Sequence, residues 1–190
     1  HFLFDRSYYD QIDGIAMGSP LAPKLANLFM GNFEKQCLNS YKKQAPLGYR
    51  RYVDDIFLLF DNNDQCTEFF NFLNSQHKNI KFTLEKEVDK TLPFLDILID
   101  SNNNTLTTSV YRKKTFTGLL TNYLSFTSFS YKIGLLRTLI DRVFKINNKW
   151  SQMNSDFKEL KQILLRNKYP SKLIDSQIKN YLDKAFMPVT

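Results

Sequence analysis

Cysteine is scarce in this chain: two residues in 190, Cys37 and Cys66, in unrelated contexts. They show no metal-binding spacing, so no zinc module is expected, and a reduced intracellular protein is the simplest reading. Histidine is equally scarce: His1 and His77 lack partners at metal or nucleophile spacing and read as surface residues. No run of about 18 apolar residues occurs, which excludes a membrane-spanning helix and makes a membrane partner unexpected. The opening HFLFDRSYYD places acidic and basic residues where a signal peptide has its apolar core. It also lacks an initial Met, so the chain reads as a fragment or a processed piece. Internal repeats and low-complexity tracts are absent from the sequence.

What is present suits one ordinary domain, or one and a half small ones. The chain is 43% hydrophobic and 15% aromatic, with a net charge of +7. The charge is unevenly spread. Residues 1–105 carry 11 Lys/Arg and 14 Asp/Glu, a balance of −3, whereas residues 106–190 carry 15 and 5, a balance of +10. Such asymmetry suggests a working part followed by a part that holds a polyanion, or else a soluble basic helical tail.

Periodicity gives the order of elements. Residues 1–13 read as extended strand or loop. GIAMGSPLAP is a Gly/Pro-punctuated turn, and Ser19 before Pro20 marks a helix start. Leu21, Leu25, Leu28, Phe29 and Phe33 recur at helical spacing, carrying that helix to about Leu38. GYRRYV and IFLLF make a tight hairpin, and residues 65–77 a helix. IKFTLEKEV alternates like a half-buried strand. LPFLDILID and TLTTSVYRK read as a further hairpin across SNNN. From about Ser128 the pattern is helical to the end. The fold class expected is α+β, an antiparallel sheet with helices followed by a basic helical module, joined around residues 112–130.

Asp54 and Asp55 sit side by side inside the apolar run YRRYVDDIFLLF. A hairpin tip can aim both carboxylates at one hard divalent cation such as Mg²⁺, and like charges held together are costly without one. In two-metal phosphoryl transfer, one ion activates the attacking hydroxyl and the other stabilises the leaving group. Asp-Asp is equally a common surface turn pair. Upstream, Gly14 and Gly18 in QIDGIAMGSPLAPKLANLF allow close backbone approach, and the helix after them offers amides to an anion. The spacing is not that of a Walker A loop, and an ordinary loop-to-helix transition fits too.

Together these stretches resemble a known family. YYDQIDGIAMGSPLAPKLANLFMGNFE followed by YRRYVDDIFLLF looks like the motif B and motif C pair of reverse transcriptases. In detail it is similar to the Penelope-like retroelement branch, and LPFLDILI, TTSVYRKKTFTG, YLSFTSFSYKIGLLRTLIDRVFKI and LKQILLRNKYPSKLI continue the likeness in order. The resemblance implies part of a right-hand polymerase: a partial palm over residues 1–115 and a helical thumb over 116–190. It implies RNA-directed DNA synthesis by two-metal nucleotidyl transfer, with an RNA template, a DNA primer, deoxynucleoside triphosphates and two Mg²⁺ ions. Asp54 and Asp55 would be the catalytic metal ligands, and Tyr52, Tyr111 and Arg112 would lie at the primer. Gln11, Gly14, Met17, Gly18 and Ser19 would face the template and nucleotide. Lys132, Arg137, Arg142 and Lys145 would hold duplex phosphates. An intracellular, nuclear location follows from the same likeness.

The match has gaps. The third palm carboxylate belongs to an upstream strand that this chain does not contain, as do the fingers, so the isolated 190 residues are expected not to polymerise. The parent's upstream fingers and palm segment is then an expected partner. The alternative is a catalytically inactive truncated or domesticated remnant that only binds nucleic acid. Trp150 reads as a core or hinge residue, or as a nucleic-acid contact. Arg50 and Arg51 read as primer contacts or as solvated strand-end charges.

Overall fold

The computed structural model describes residues 2–12, 14–16, 18–102 and 105–187. These residues form a mixed α+β chain of helices and small antiparallel sheets, divided into two units between Leu84 and Glu85.

In the first unit, β1 (Phe2–Phe4) and β2 (Ser7–Tyr9) pair antiparallel across Asp5 and Arg6. Both turn residues have positive φ, 46° and 60°, as a two-residue hairpin of primed type requires. The first helix, α1 (Ala22–Ser40), begins later than Ser19 suggests: its cap position is Leu21, with no side-chain cap, and Pro23 occupies its first turn. β3 (Gly48–Tyr52) and β4 (Asp55–Leu59) form the expected tight hairpin. α2 (Asn63–Ser75) starts where the Asn62 side chain accepts the Gln65 N–H at 3.0 Å. Phe33 and Cys37 of α1 meet Phe69 and Leu73 of α2 in the core, with the Tyr41 ring edge-on to Phe69 at 5.0 Å. Of the helically spaced apolar residues in α1, only Phe33 is buried; Leu21, Leu25, Leu28 and Phe29 are exposed.

Residues 80–88 depart from the strand that their alternation predicts. Ile80, Phe82 and Leu84 are half-buried and their neighbours exposed, yet only Val88 pairs, in a single bridge to Thr91. The side chains follow period two without a ladder because Phe82 satisfies its backbone on a side chain. Its N–H donates to Asn74 Oδ1 at 2.7 Å, and its carbonyl accepts from Asn74 Nδ2 at 3.3 Å.

The second unit begins with a three-stranded meander, β5 (Thr91–Phe94), β6 (Ile97–Asp100) and β7 (Thr107–Val110). LPFLDILID is therefore not one strand: it reverses at Leu95, whose φ of 56° closes a two-residue turn. Three helices follow, α3 (Phe129–Ile146), α4 (Trp150–Arg166) and α5 (Ser171–Phe186), packed pairwise, with β7 against α3 and α4. Leu136, Ile140, Leu164 and Ile174 are fully buried at their centre, each worth about 1.5–3 kcal/mol of hydrophobic transfer. The sheet thus groups with the helices, whereas the charge count divides the chain at 105/106 and the family resemblance at 115/116.

Candidate nucleic-acid interface

The two units differ in charge. The first holds 9 Lys/Arg against 9 Asp/Glu and the second 17 against 10, so the chain's whole net charge of +7 resides in the second. What that charge can do depends on which cations are tied up internally.

The turns between the helices are held by buried asparagines. Asn147 ends α3 and Asn167 ends α4, each 6% exposed. Each donates its Nδ2 to the carbonyl four residues back, Val143 and Ile163, both at 2.9 Å. Each also reaches a second segment. Asn147 Nδ2 donates to Asp156 Oδ2 at 2.8 Å. Asn167 Nδ2 donates to the Gly118 carbonyl at 2.7 Å, and its Oδ1 accepts the Leu120 N–H at 2.9 Å. Asn148 joins the first turn to β7, accepting from the Thr108 N–H at 3.0 Å and donating to the Leu106 carbonyl at 2.9 Å.

Asp156, 4% exposed on α4, is the hub of the first turn. Its carboxylate accepts from Asn147, from the Val110 N–H at 3.0 Å and from Gln152 Nε2 at 3.3 Å. The second turn closes as a Schellman motif. Tyr169 N–H bonds the Leu164 carbonyl at 3.0 Å, and Lys168 N–H bonds the Leu165 carbonyl at 2.9 Å. Lys168 adopts φ 68° where glycine is usual, and Pro170 then stops the helix. The result is two helix–turn–helix joints of three and four residues, residues 147–149 and 167–170.

The four cations expected to hold duplex phosphates fare differently. Lys132 is 8% exposed, with its ammonium on the Ser125 carbonyl at 2.7 Å and 5.5 Å from the centre of the Tyr123 ring. It is a structural cation facing inward, because α3 turns it toward the loop before the helix. Arg142 pairs with Asp96 at 3.0 Å, and Lys145 with Asp141 at 2.9 Å. Arg137 is exposed and donates to Gln177 at 3.1 Å. Asp141 also accepts from the Tyr181 hydroxyl at 2.6 Å. That bond first, and Lys145 second, lower its carboxyl below the usual carboxylate range, while burial and Asp141 push Tyr181 up to about 12.

Of the residues expected at the primer, Tyr111 and Arg112 lie in the second unit. Arg112 pairs with Glu159 at 2.8 Å and stands over Phe116. Both line a cavity of about 380 Å³ with Asp96, Phe116, Leu139 and Arg142. Tyr52 is in the first unit, 61% exposed on β3. Across from it stands Asp55, and Val53 and Asp54 make the two-residue loop between them. Asp54 and Asp55 are both exposed at this tip. Val53 has φ 56°, a strained conformation for a β-branched residue. The tip is held by Arg51, which pairs with Glu34 and donates to Asn27 Oδ1 at 2.8 Å and the Val53 carbonyl at 2.9 Å. Arg51 is therefore a structural residue.

Gln11 lies beside Gly14, whose φ of 76° favours glycine; a Cβ there would lie 3.2 Å from Gln11 Nε2. Gly18 has φ 90°. Ser19 makes a turn, its N–H on the Ala16 carbonyl and its own carbonyl accepting from Ala22, and caps nothing. Met17 lies outside the described residues. The expected magnesium ions would find two adjacent carboxylates here, and Mg²⁺ takes six oxygen ligands in octahedral geometry. Among the described residues no group of three or more His, Cys, Asp or Glu could hold a metal.

Other cations of the last two helices, not singled out from the sequence, are uncommitted. Lys158 and Arg166 on α4, Lys168 in the turn, and Lys172 and Lys179 on α5 are exposed and without an acidic partner among the described residues. Their sequence signal was present in the basic balance of the C-terminal helices, but pairing decides which members are free. Trp150, expected in a core or hinge, is 59% exposed at the first residue of α4, with the Phe186 ring edge-on at 6.4 Å.

Comparison with known families places a match on this region. The animal helix-turn-helix domain matches residues 119–179, which takes in α3, α4 and the first half of α5. No curated protein and no solved structure matches the chain. The match corrects the reverse-transcriptase reading. The segment assigned to a polymerase thumb is similar to a helix-turn-helix domain, a DNA-binding domain and not a reverse-transcriptase one. RNA-directed DNA synthesis, its nucleotidyl transfer and its palm are withdrawn with that reading. The helices of residues 119–179 are thus similar to the animal helix-turn-helix domain.

Proposed function

We propose that the second unit, residues 85–190, binds duplex DNA through its helix-turn-helix module. The observation that carries this is the coincidence of the chain's entire net charge with the unit containing the helix-turn-helix match. Helix–turn–helix joints of this length present one helix to a groove while the others touch the backbone. The five cations without an acidic partner among residues 158–179 supply phosphate contacts, and the buried Asn147, Asp156 and Asn167 fix the helices that carry them.

The test is fluorescence anisotropy of the full chain with a labelled 20-base-pair duplex across a salt series. Five phosphates neutralised correspond to a slope of about −4.5 in log K against log salt, or a loss of roughly 500-fold between 50 and 200 mM. Lys172→Ala and Lys179→Ala should each flatten the slope by about 1. Asp54→Asn should leave binding unchanged, with or without Mg²⁺. An absence of binding at 50 mM salt, or a flat salt dependence, would sink the proposal.

A further inference from the structure

We infer that the cavity lined by α3, α4 and the segment after β7 binds a small amphipathic carboxylate, an anionic head on an aromatic or aliphatic body. This does not rest on the reading of the second unit as a DNA-binding module.

Helical spacing supplies the apolar walls. Leu139 and Val143 stand four residues apart on α3, and Leu160 and Ile163 three apart on α4, so each pair shares one face of its helix. Val110 and Leu120 add to them from β7 and the loop beyond it. A well-packed core leaves few voids larger than a water molecule. Here about 380 Å³ stays open, within the range of small-ligand sites and equal to roughly a dozen waters of liquid. Water against such walls finds few polar partners, whereas a hydrocarbon body gains by leaving bulk solvent.

The charged residues of the wall are mostly of one sign. Arg112, Lys113 and Arg142 face a single lining acid, Asp96. With Glu159, which holds Arg112 at 2.8 Å, the balance is still positive. Lys113 is exposed and has no acidic partner among the described residues. Arg142 is the least satisfied of the three. Asp96 reaches one end of its guanidinium at 3.0 Å, but the Asp96 side chain is 67% exposed, so water weakens the pair. The Arg142 Nε is shielded from solvent and has no hydrogen-bond partner among the described residues. A buried donor left unpaired is costly, and this edge of the guanidinium lacks an acceptor. A carboxylate offers two oxygens to the fork that Nε and a neighbouring Nη make. Phe116, with the Arg112 guanidinium 5.9 Å from its ring centre, adds an aromatic wall.

The two halves of the site select the ligand. Inorganic phosphate meets the cations and leaves the apolar walls bare. A neutral hydrocarbon fills the walls and leaves Arg142 Nε unpaired. A carboxylate on an apolar body meets both demands.

The test titrates phenylbutyrate into the full isotope-labelled chain and follows backbone amides and the Arg142 Nε–H by NMR. Saturable shifts at Leu139, Arg142 and Ile163 are expected, with a Kd of about 0.1–1 mM for a ligand of this size. Phenylbutanol, of the same shape without the charge, should bind about tenfold more weakly. Asp96→Asn removes the acid that competes for Arg142, at an exposed side chain that the fold tolerates. It should tighten phenylbutyrate by about three- to tenfold and leave phenylbutanol unchanged. Arg142→Lys keeps the charge and loses the fork, and should weaken phenylbutyrate by about tenfold. If that variant does not fold, Asp96→Asn decides.

No saturable shift at about 10 mM phenylbutyrate overturns the inference. Equal affinity for phenylbutanol also overturns it, since the cavity is then only an apolar void. Asp96→Asn binding phenylbutyrate no more tightly than wild type removes Arg142 from the site and has the same effect. Equal binding of deoxyadenosine monophosphate assigns the cavity to a nucleotide instead. None of these outcomes bears on duplex binding, which the salt series tests separately.

Discussion

Replacing Asp156 by alanine tests the joint on which the presentation of α4 depends. The carboxylate is 4% exposed and accepts the Val110 N–H at 3.0 Å, Asn147 Nδ2 at 2.8 Å and Gln152 Nε2 at 3.3 Å. Asn147 keeps its bond to the Val143 carbonyl, and water can reach Gln152, which is exposed. The Val110 N–H, in a part-buried bond, loses its acceptor: a buried donor left without one costs up to about 1–3 kcal/mol, and a charge-assisted bond is worth about 1.5–3 kcal/mol. Allowing for overlap, Asp156→Ala should destabilise the second unit by about 3 kcal/mol. Trp150, the chain's single tryptophan, lies in this unit, so its fluorescence follows this unfolding and not that of the first unit. With a urea m-value of about 1.5 kcal/mol/M, the midpoint should fall by about 2 M. Asp156→Asn keeps one acceptor but turns a donor toward its neighbours, and should fall in between. A midpoint shift below about 0.5 M for the alanine variant would refute the claim that this carboxylate ties β7, the turn and α4 together.

Lys168→Gly should stabilise the second unit by about 1 kcal/mol in the same urea assay, by relieving φ 68° at a helix C′ position, while lowering duplex affinity through the lost cation. Arg51→Leu should destabilise the first unit by about 3 kcal/mol, read by hydrogen exchange at Phe69 and Leu73, because Glu34 is left half-buried without its cation, keeping the Tyr49 hydroxyl, and the Val53 carbonyl loses its donor. Asp141 should titrate below the ordinary value of about 3.9 in carboxyl NMR, and Tyr181→Phe should move it upward. Because its folded value is depressed, Asp141 contributes stability above pH 4 that is lost as pH falls through the folded value, and the phenylalanine variant should show a shallower acid limb.

Element types were legible wherever periodicity was long. The three C-terminal helices, α2 and the Asp54–Asp55 hairpin all follow from pattern and turn chemistry. Three features were not. Residues 80–88 alternate like a strand, but alternation reports burial and not pairing, and Asn74 stands in for a ladder neighbour. The break at Leu95 was hidden because leucine is a poor residue for positive φ and signals no turn. The burial of Lys132 was hidden because nothing local says that Ser125 and Tyr123 will wait for its ammonium. The functional misreading has a related cause. Short patterns such as the paired aspartates specify a hairpin tip, and the structure delivers that tip, but a local turn carries no activity by itself.

Positive charge in the second unit does two different kinds of work, and partner geometry separates them. Lys132, Arg112, Arg142 and Lys161 sit where they meet a carbonyl or carboxylate from another segment, at 2.6 to 3.0 Å, and so hold the sheet, loop and helices together. Such pairs gain little net energy on a wet surface but fix relative orientation. Lys158 and Arg166 of α4, and Lys168 in the turn after it, meet no acid among the described residues. A chain optimised for stability alone would gain by pairing them, since like charges on a small unit repel. Their isolation is explained if the missing anion is a phosphate supplied from outside. On that view the paired set should be insensitive to added duplex and the unpaired set should respond. NMR shifts of the lysine ammonium groups on titration with duplex DNA separate the two. Movement of Lys158, Lys168 and Lys172 with Lys132 and Lys161 still is the expected pattern, and the reverse would place the DNA on another face.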